Sequence, residues 1–252
     1  MTKILLLILS VAFFITSCSP SNKTSFNDPL PVITTEENIE VTENHLDDII
    51  FFGESTTYHL KSRGVLPDGT NTKQVWAPKS GTLMLDASIC DCKIIYPESN
   101  EETSLKEALL RKKPKKMLLT FGLNGATIFI NKGEAYFKYC YQKLINLICE
   151  ASPNTEIIIN SCFPIGKNMD MSRYSINSKE LNSYIDTLNI WAKKLANENG
   201  LTFTDTAVLL KDSNGYLASS FQADDGYHLN TAAYNEILKF LNNDLQKRNK
   251  IK

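Results

Sequence analysis

The sequence has no excess of charge of either sign. Its 27 Lys and Arg residues nearly balance its 28 Asp and Glu residues, which leaves a formal net charge of -1 at pH 7. This balance gives no electrostatic reason to expect nucleic acid as a partner. The two lysine-rich runs, 111–116 and 247–252, contain no aromatic residues that could stack on bases, so we interpret them as solvated surface.

Long apolar runs are absent beyond the N-terminus. There, Lys3 precedes an almost uninterrupted apolar stretch at 4–15, which is shorter than the roughly 20 residues that a transmembrane helix needs. A basic start, an apolar centre and small residues before Cys18 have the layout of an export signal. Residues 15–18 also resemble the bacterial lipobox, in which the cysteine is lipidated. We predict a lipoprotein signal peptide at 1–17 and acylation of Cys18; a plain signal peptide with an incidental cysteine is the alternative.

Residues 18–48 are rich in Ser, Asn, Thr, Pro and Glu and have little apolar periodicity. This composition predicts a flexible, lipid-anchored tether in front of a folded domain at 49–252. Acyl chains on Cys18 would hold the protein firmly on a membrane face. The predicted location is therefore the cell membrane, lipid-anchored and extracytoplasmic, as in a bacterial lipoprotein.

Histidine and cysteine are scarce, with three and six residues respectively. No Cys/His spacing suits a zinc ion. Five cysteines follow Cys18, and an odd number cannot pair completely within one chain. Cys140 and Cys149 are nine residues apart on one predicted helix, which places them on opposite faces. We interpret the five thiols as small buried apolar side chains.

Short apolar runs alternate with helical patterns from residue 49 onward. We predict strands at 49–52, 117–121, 156–160 and 201–204, and helices at 104–112, 133–151, 177–200 and 231–245. Capping boxes begin at Ser104 and at Asn177, each followed three residues later by Glu. The alternation predicts an α/β domain with a mostly parallel sheet and helices on both faces. Ligands of such sheets bind beyond the carboxyl ends of the strands.

Three segments at these positions carry reactive side chains: Gly53-Glu54-Ser55, Gly122-Leu123-Asn124, and Asp225 to His228. A serine at a strand-to-helix turn exposes its hydroxyl where the helix N-terminus favours developing negative charge. A histidine is needed to take the hydroxyl proton, and a carboxylate three residues earlier can fix its tautomer. Backbone amides and an Asn amide can form an oxyanion hole. Together the segments contain every part of an acyl-transfer site.

These segments resemble the four sequence blocks of the SGNH (GDSL-like) hydrolase family. Gly53-Glu54-Ser55 is similar to the first block, Ser80-Gly81-Thr82 to the second, and the Asn124 and His228 segments to the third and fourth. The resemblance implies a flavodoxin-like three-layer sandwich, ester hydrolysis, and no metal or other cofactor. It assigns the triad to Ser55, Asp225 and His228. It assigns the oxyanion hole to the amides of Ser55 and Gly81 and the side chain of Asn124.

The sequence departs from the family pattern at two positions and leaves some alternatives open. Glu54 replaces the usual Asp, and Gly125 stands where an acidic residue is common. His59, one helical turn after Ser55, is the rival base. Other roles also stay open for a further set of residues: Asp224 and Asp205 as acids, and Tyr58, Trp76, Tyr174 and Tyr227 as a sugar platform or as core.

The predicted function is that of a serine esterase. It would remove short acyl groups, in the form of O-acetyl esters, from an extracytoplasmic carbohydrate through an acyl-enzyme. One alternative is a lipase or lysophospholipase, although the sequence offers no extended apolar lid. Another is a glycan-binding lipoprotein that retains the fold without catalysis. The partners would be the ester substrate and the membrane, with no nucleic acid.

Overall fold

The computed structural model describes residues 44–249. The predicted signal peptide, Cys18 and residues 18–43 of the predicted tether lie outside the described residues. Residues 44–48 lie inside them and form a turn, in which Leu46 is buried and the His45 amide donates to Asn242 Oδ1 at 2.8 Å. The last five residues of the predicted tether are therefore held against the domain.

Strands and helices alternate through most of the domain. The strands are β1 (Ile49–Gly53), β2 (Val75–Trp76), β3 (Lys93–Tyr96), β4 (Glu101–Ser104), β5 (Lys116–Thr120), β6 (Glu156–Asn160) and β7 (Thr202–Thr204). The helices are α1 (Ser55–Ser62), α2 (Leu105–Lys112), α3 (Ala126–Lys132), α4 (Glu134–Ala151), α5 (Ser178–Glu198) and α6 (Thr231–Asn249).

Five strands form one parallel sheet in the order β2-β1-β5-β6-β7. All five residues of β1 are buried, as expected for a strand covered on both faces. Ile50 and Phe52 belong to a core shared with α2, α3, α4 and α5, whereas Ile49 and Phe51 belong to a second core shared with α1 and α6. The predicted α/β architecture, with a mostly parallel sheet and helices on both faces, is confirmed.

For the elements that were predicted, most ends lie within one or two residues of the ends observed in the structure. Ser104 accepts from the Glu107 amide at 3.1 Å, and Asn177 forms a complete capping box with Glu180. Strand β2, the β3–β4 hairpin and α3 were not predicted from the sequence. Strand β2 has two residues, and β4 carries Glu101 and Glu102, so neither shows an apolar period.

The cysteines agree only partly with their interpretation. Cys140 is buried and Cys149 is exposed, so the opposite faces of α4 are confirmed. Cys162 is buried, whereas Cys90 and Cys92 are half-buried, and all five are free thiols. The interpretation as buried apolar groups is wrong for Cys149, which lies on the solvent side of α4. Within residues 44–249, no helix combines the length and apolar character required to cross a membrane.

Candidate active site

Ser55 is the first residue of α1, directly beyond the carboxyl end of β1. The turn depends on Gly53, because a Cβ there would lie 2.3 Å from the Thr120 carbonyl oxygen on the neighbouring strand. Ser55 is half-buried. Its N–H has no carbonyl four residues earlier within α1, so the amide is free to donate to an anion at the helix N-terminus.

The His228 ring lies between Ser55 and Asp225. The Ser55 hydroxyl oxygen is 3.1 Å from His228 Nε2, and His228 Nδ1 is 2.5 Å from Asp225 Oδ2. Ser55 and His228 are 173 positions apart in the chain, so only the fold brings them together. The structure thus brings together the three residues of the predicted triad, and their roles as nucleophile, base and orienting acid stay a prediction.

Asp225 is held in place by its own turn. Its Oδ1 accepts from the backbone amides of Tyr227 at 2.9 Å and His228 at 2.8 Å. Partial burial alone would raise the pKa of Asp225, but hydrogen bonds from the amide and ring of His228 outweigh it and lower that pKa. The acid is therefore ionised at neutral pH, and it can stabilise an imidazolium.

The second and third sequence blocks meet at Asn124. Its Nδ2 donates to the Leu83 carbonyl at 2.7 Å and to the Thr82 hydroxyl at 3.1 Å. Gly81 has φ +73°, and a Cβ there would lie 2.9 Å from the Tyr58 ring, so the position favours glycine. The Gly81 N–H donates to the Pro78 carbonyl at 2.9 Å. This N–H already has a partner inside its turn, and its role toward an oxyanion stays a prediction.

Residues 51–235 match the sequence model of the GDSL-like Lipase/Acylhydrolase family. The match covers more than half of the chain and includes Ser55, Asn124, Asp225 and His228. The chain belongs to this family. It is therefore an ester hydrolase, and the predicted family and enzyme class are confirmed.

Solved structures resemble this acylhydrolase in fold at low sequence identity. The native aryl esterase of M. smegmatis has a TM-score of 0.51 and 12% identity over 79% of this chain and 98% of that one. A GDSL-like lipase from Bacteroides thetaiotaomicron has a TM-score of 0.47 and 16% identity over 79% and 88%. A peptidoglycan O-acetylesterase has a TM-score of 0.46 and 15% identity over 58% of this chain and 41% of that one. No curated protein matches the sequence.

Glu54, the departure from the usual Asp, is fully enclosed beneath the acylhydrolase site. Its side chain is 2% exposed, and its two carboxyl oxygens accept from the backbone amides of Gly122 at 3.0 Å and Asn124 at 3.1 Å. Burial raises the pKa of Glu54 to about 7, although hydrogen bonds from these amides and that of Leu123 lower it. The longer side chain thus connects the first block to the third.

His59, the rival base, lies against His228 rather than against the nucleophile. The ring centroids of the two histidines are 4.4 Å apart, whereas the hydrogen bond of the Ser55 hydroxyl is to His228. His59 Nδ1 is buried without a hydrogen-bond partner among the described residues. Burial and the neighbouring His228 lower the pKa of His59 to about 4. A neutral His59 therefore packs beside the base.

The structure decides two of the remaining alternatives, Asp224 and Trp76. The carboxylate that accepts from His228 Nδ1 is that of Asp225, not that of Asp224. Trp76 is fully buried, so it belongs to the core and not to a sugar platform. The Tyr227 hydroxyl donates to Asn124 Oδ1 at 2.7 Å, a contact that no sequence motif indicates. Among residues 44–249, no group of three or more His, Cys, Asp or Glu side chains is placed to hold a metal ion.

Proposed function

We propose that this acylhydrolase is a serine esterase that removes short acyl groups, chiefly acetyl groups, from an extracytoplasmic carbohydrate. The observation that carries the catalytic part is the continuous contact from Ser55 through His228 to Asp225, with distances of 3.1 and 2.5 Å. A serine is a weak nucleophile unless a base takes its proton, and this arrangement supplies one.

The first half of the reaction forms an acyl-enzyme. Ser55 Oγ attacks the ester carbonyl carbon while His228 Nε2 takes the hydroxyl proton. The carbonyl oxygen becomes an oxyanion and accepts hydrogen bonds from the Ser55 amide and the Asn124 side chain. The ester C–O bond then breaks, and His228 passes its proton to the leaving alcohol.

The second half returns the enzyme to its starting state. Water replaces the alcohol and gives a proton to His228 as its oxygen attacks the acyl carbon. The second oxyanion collapses, the bond to Ser55 Oγ breaks, and His228 returns the proton to the serine. The carboxylate of Asp225 stabilises the imidazolium in both halves.

A cavity of about 310 Å³ supports a polyhydroxylated alcohol as the leaving group. Thr82 is one of its lining residues, and the Thr82 hydroxyl accepts from Asn124 Nδ2. Asp86, Ser88 and Asp91 contribute hydroxyl and carboxylate groups to its lining. Such groups suit hydrogen bonds to sugar hydroxyls, while Met84 and Leu83 offer apolar contacts.

The first experiment measures acetate release from O-acetylated xylan and O-acetylated peptidoglycan by the purified protein. Wild type should release acetate and Ser55→Ala should not. A parallel comparison of p-nitrophenyl acetate with p-nitrophenyl palmitate tests the acyl length. Faster turnover of the palmitate would favour a lipase, and equal rates for wild type and Ser55→Ala would overturn the serine mechanism.

We also propose that Cys18 is acylated and anchors the enzyme to the outside of a membrane. The basic, apolar and small-residue segments at 1–18 support this part of the proposal. Full-length protein expressed in a bacterial host with labelled palmitate should incorporate the label, and Cys18→Ser should not. Unlabelled wild-type protein released into the medium would indicate a plain signal peptide.

A further inference from the structure

Asn124 is fixed at its backbone N–H, its amide nitrogen and its amide oxygen. The backbone N–H donates to Glu54 Oε2 at 3.1 Å. The amide nitrogen donates to the Leu83 carbonyl and the Thr82 hydroxyl, and the amide oxygen accepts from the Tyr227 hydroxyl at 2.7 Å. An asparagine amide has two donors on nitrogen and an accepting oxygen. The contacts therefore use both donors and the oxygen.

Tyr227 lies between Asp225 and His228 in the sequence of the catalytic turn. Its ring is partly buried and packs edge-on against His228, with centroids 5.0 Å apart. Burial, together with nearby Glu54, raises the pKa of Tyr227 above the ordinary tyrosine range. The hydroxyl therefore keeps its proton at any pH at which the enzyme works, and it can act as a permanent donor to Asn124.

Two contacts together set which end of the amide faces the oxyanion: the Leu83 carbonyl, which can only accept, holds the nitrogen, and the Tyr227 hydroxyl holds the oxygen. A phenol that donates to Oδ1 keeps the oxygen on the side of the catalytic turn. The nitrogen then points toward the loop at 81–83. An amide rotated by 180° would present its oxygen there and repel an oxyanion. Thr82 is exposed, so its hydroxyl is the partner that an oxyanion would replace at Nδ2.

We infer that Tyr227 is a positioning residue that orients the amide of Asn124 for the oxyanion and so couples the turn of the base to the oxyanion loop. The inference rests on the proposed function, because that proposal gives Asn124 its role. Tyr227 touches no reacting atom in this scheme. The contribution of its hydroxyl passes through Asn124, whereas its ring packs against His228, so removal of the hydroxyl alone separates the two contacts.

A double-mutant cycle on p-nitrophenyl acetate tests the coupling. Tyr227→Phe keeps the ring and removes only the hydroxyl, so kcat should fall about 3- to 10-fold, as expected for the loss of one hydrogen bond. KM and the midpoint of the pH–rate profile should not move. In an Asn124→Ala background the same change should lower kcat less than about 2-fold, because the target of the hydroxyl is gone. Tyr139→Phe, more than half exposed on α4, is the matched control.

The outcomes separate the inference from the proposed function. A fall in kcat that is equally large in both backgrounds would show that Tyr227 acts elsewhere and would overturn the inference. A shifted pH midpoint would do the same, because it would indicate an effect on His228. Wild-type activity that survives Ser55→Ala would instead refute the proposed mechanism itself.

Discussion

The two loops that form the active site are built in different ways. The segment at 122–125 is tied down from below by Glu54, whose side chain is 2% exposed and accepts from two backbone amides of that segment. The catalytic turn is open: the side chains of Asp225 and His228 are 50% and 25% exposed. The hydrogen bonds that hold Asp225 within this turn are local and come from the backbone amides of Tyr227 and His228.

The difference follows from what each loop does in the proposed reaction. A group that stabilises an oxyanion is most effective when it is already oriented before charge develops, so a rigid, buried support suits it. A base must exchange protons with substrate, alcohol and water, so it has to stay accessible. The predictions below test this division, from the largest expected effect to the smallest.

Removing the base should have the largest effect on turnover and almost none on the fold. We expect His228→Ala to lower kcat by about 10⁵–10⁶-fold, as seen when a triad member is lost elsewhere. Thermal unfolding should change little, because the ring is partly exposed. Assays with p-nitrophenyl acetate check this, with His45→Ala as the control. Near-normal turnover by His228→Ala would show that the base lies elsewhere.

Replacing the acid by its amide should cost about 10⁴-fold in kcat while the turn stays folded. Asn at position 225 can still accept from the Tyr227 and His228 amides, but its NH₂ group can hold the imidazole in the wrong tautomer. Asp224→Asn, one residue earlier and exposed, is the matched control and should retain activity. The assignment fails if the two variants behave in the opposite way.

Truncating the oxyanion donor should cost less than the triad changes. We expect Asn124→Ala to lower kcat about 10²–10³-fold with a small change in KM, because the contact forms in the transition state. Asn146→Ala, exposed on α4, is the control. Fluorophosphonate labelling of Ser55 reports whether the nucleophile remains intact. An unchanged kcat for Asn124→Ala would remove this residue from the oxyanion site.

The buried carboxyl should make stability depend on pH. Folding raises the pKa of Glu54 from 4.5 to about 7, so the folded state favours the protonated form. The contribution of Glu54 to the free energy of unfolding is therefore fully present below pH 4.5, and it is lost as the pH rises through 7. The shift corresponds to about 3 kcal/mol.

Urea unfolding between pH 4 and 8 measures this contribution to the free energy of unfolding, with Glu54→Gln as the variant that cannot titrate. The free energy of unfolding should fall with rising pH in wild type relative to Glu54→Gln. Glu102→Gln, at the surface of β4, should follow wild type. Parallel curves for wild type and Glu54→Gln would contradict the proposed burial of the titrating group.

His59 should have the smallest effect on turnover. We expect His59→Phe to retain kcat/KM within about 3-fold, because an aromatic ring still packs against His228. The pKa of His59 is lowered from 6.5 to about 4, so its neutral form stabilises the fold above pH 6.5. That stability is lost as the pH falls through 4. His59→Phe should therefore resist acid unfolding better than wild type, which unfolding curves from pH 4 to 7 can show.

The parts of the site that were predictable share one property. Ser55, Asn124 and His228 each lie in a short contiguous motif. Each motif is next to a strand or helix that local sequence patterns predict. Buried parallel strands produce unbroken apolar runs, and capping boxes mark helix starts. Those signals placed β1, β5, β6 and α5, and therefore also the edge of the sheet at which the segments meet.

What escaped prediction depends on contacts between distant segments. The sequence shows Glu54 as a departure from a motif, but only the sheet places its longer arm under the amides of Gly122 and Asn124. It shows His59 one turn from Ser55, but only the approach of the last loop places that ring against His228. The hydroxyl of Tyr227 has no local partner that a motif could reveal.

The sequence alone determined the α/β class, the order of the longer strands and helices, and which residues are the candidates for nucleophile, base and acid, because apolar periodicity, helix caps and block spacing are properties of neighbouring residues. The tertiary structure decided which groups hold those residues in place. Hydrogen bonds such as that from Tyr227 to Asn124 join positions 103 apart in the chain. Such bonds form only when donor and acceptor lie at the right distance and angle. That geometry is set only when the sheet, α1 and the loop before α6 pack together.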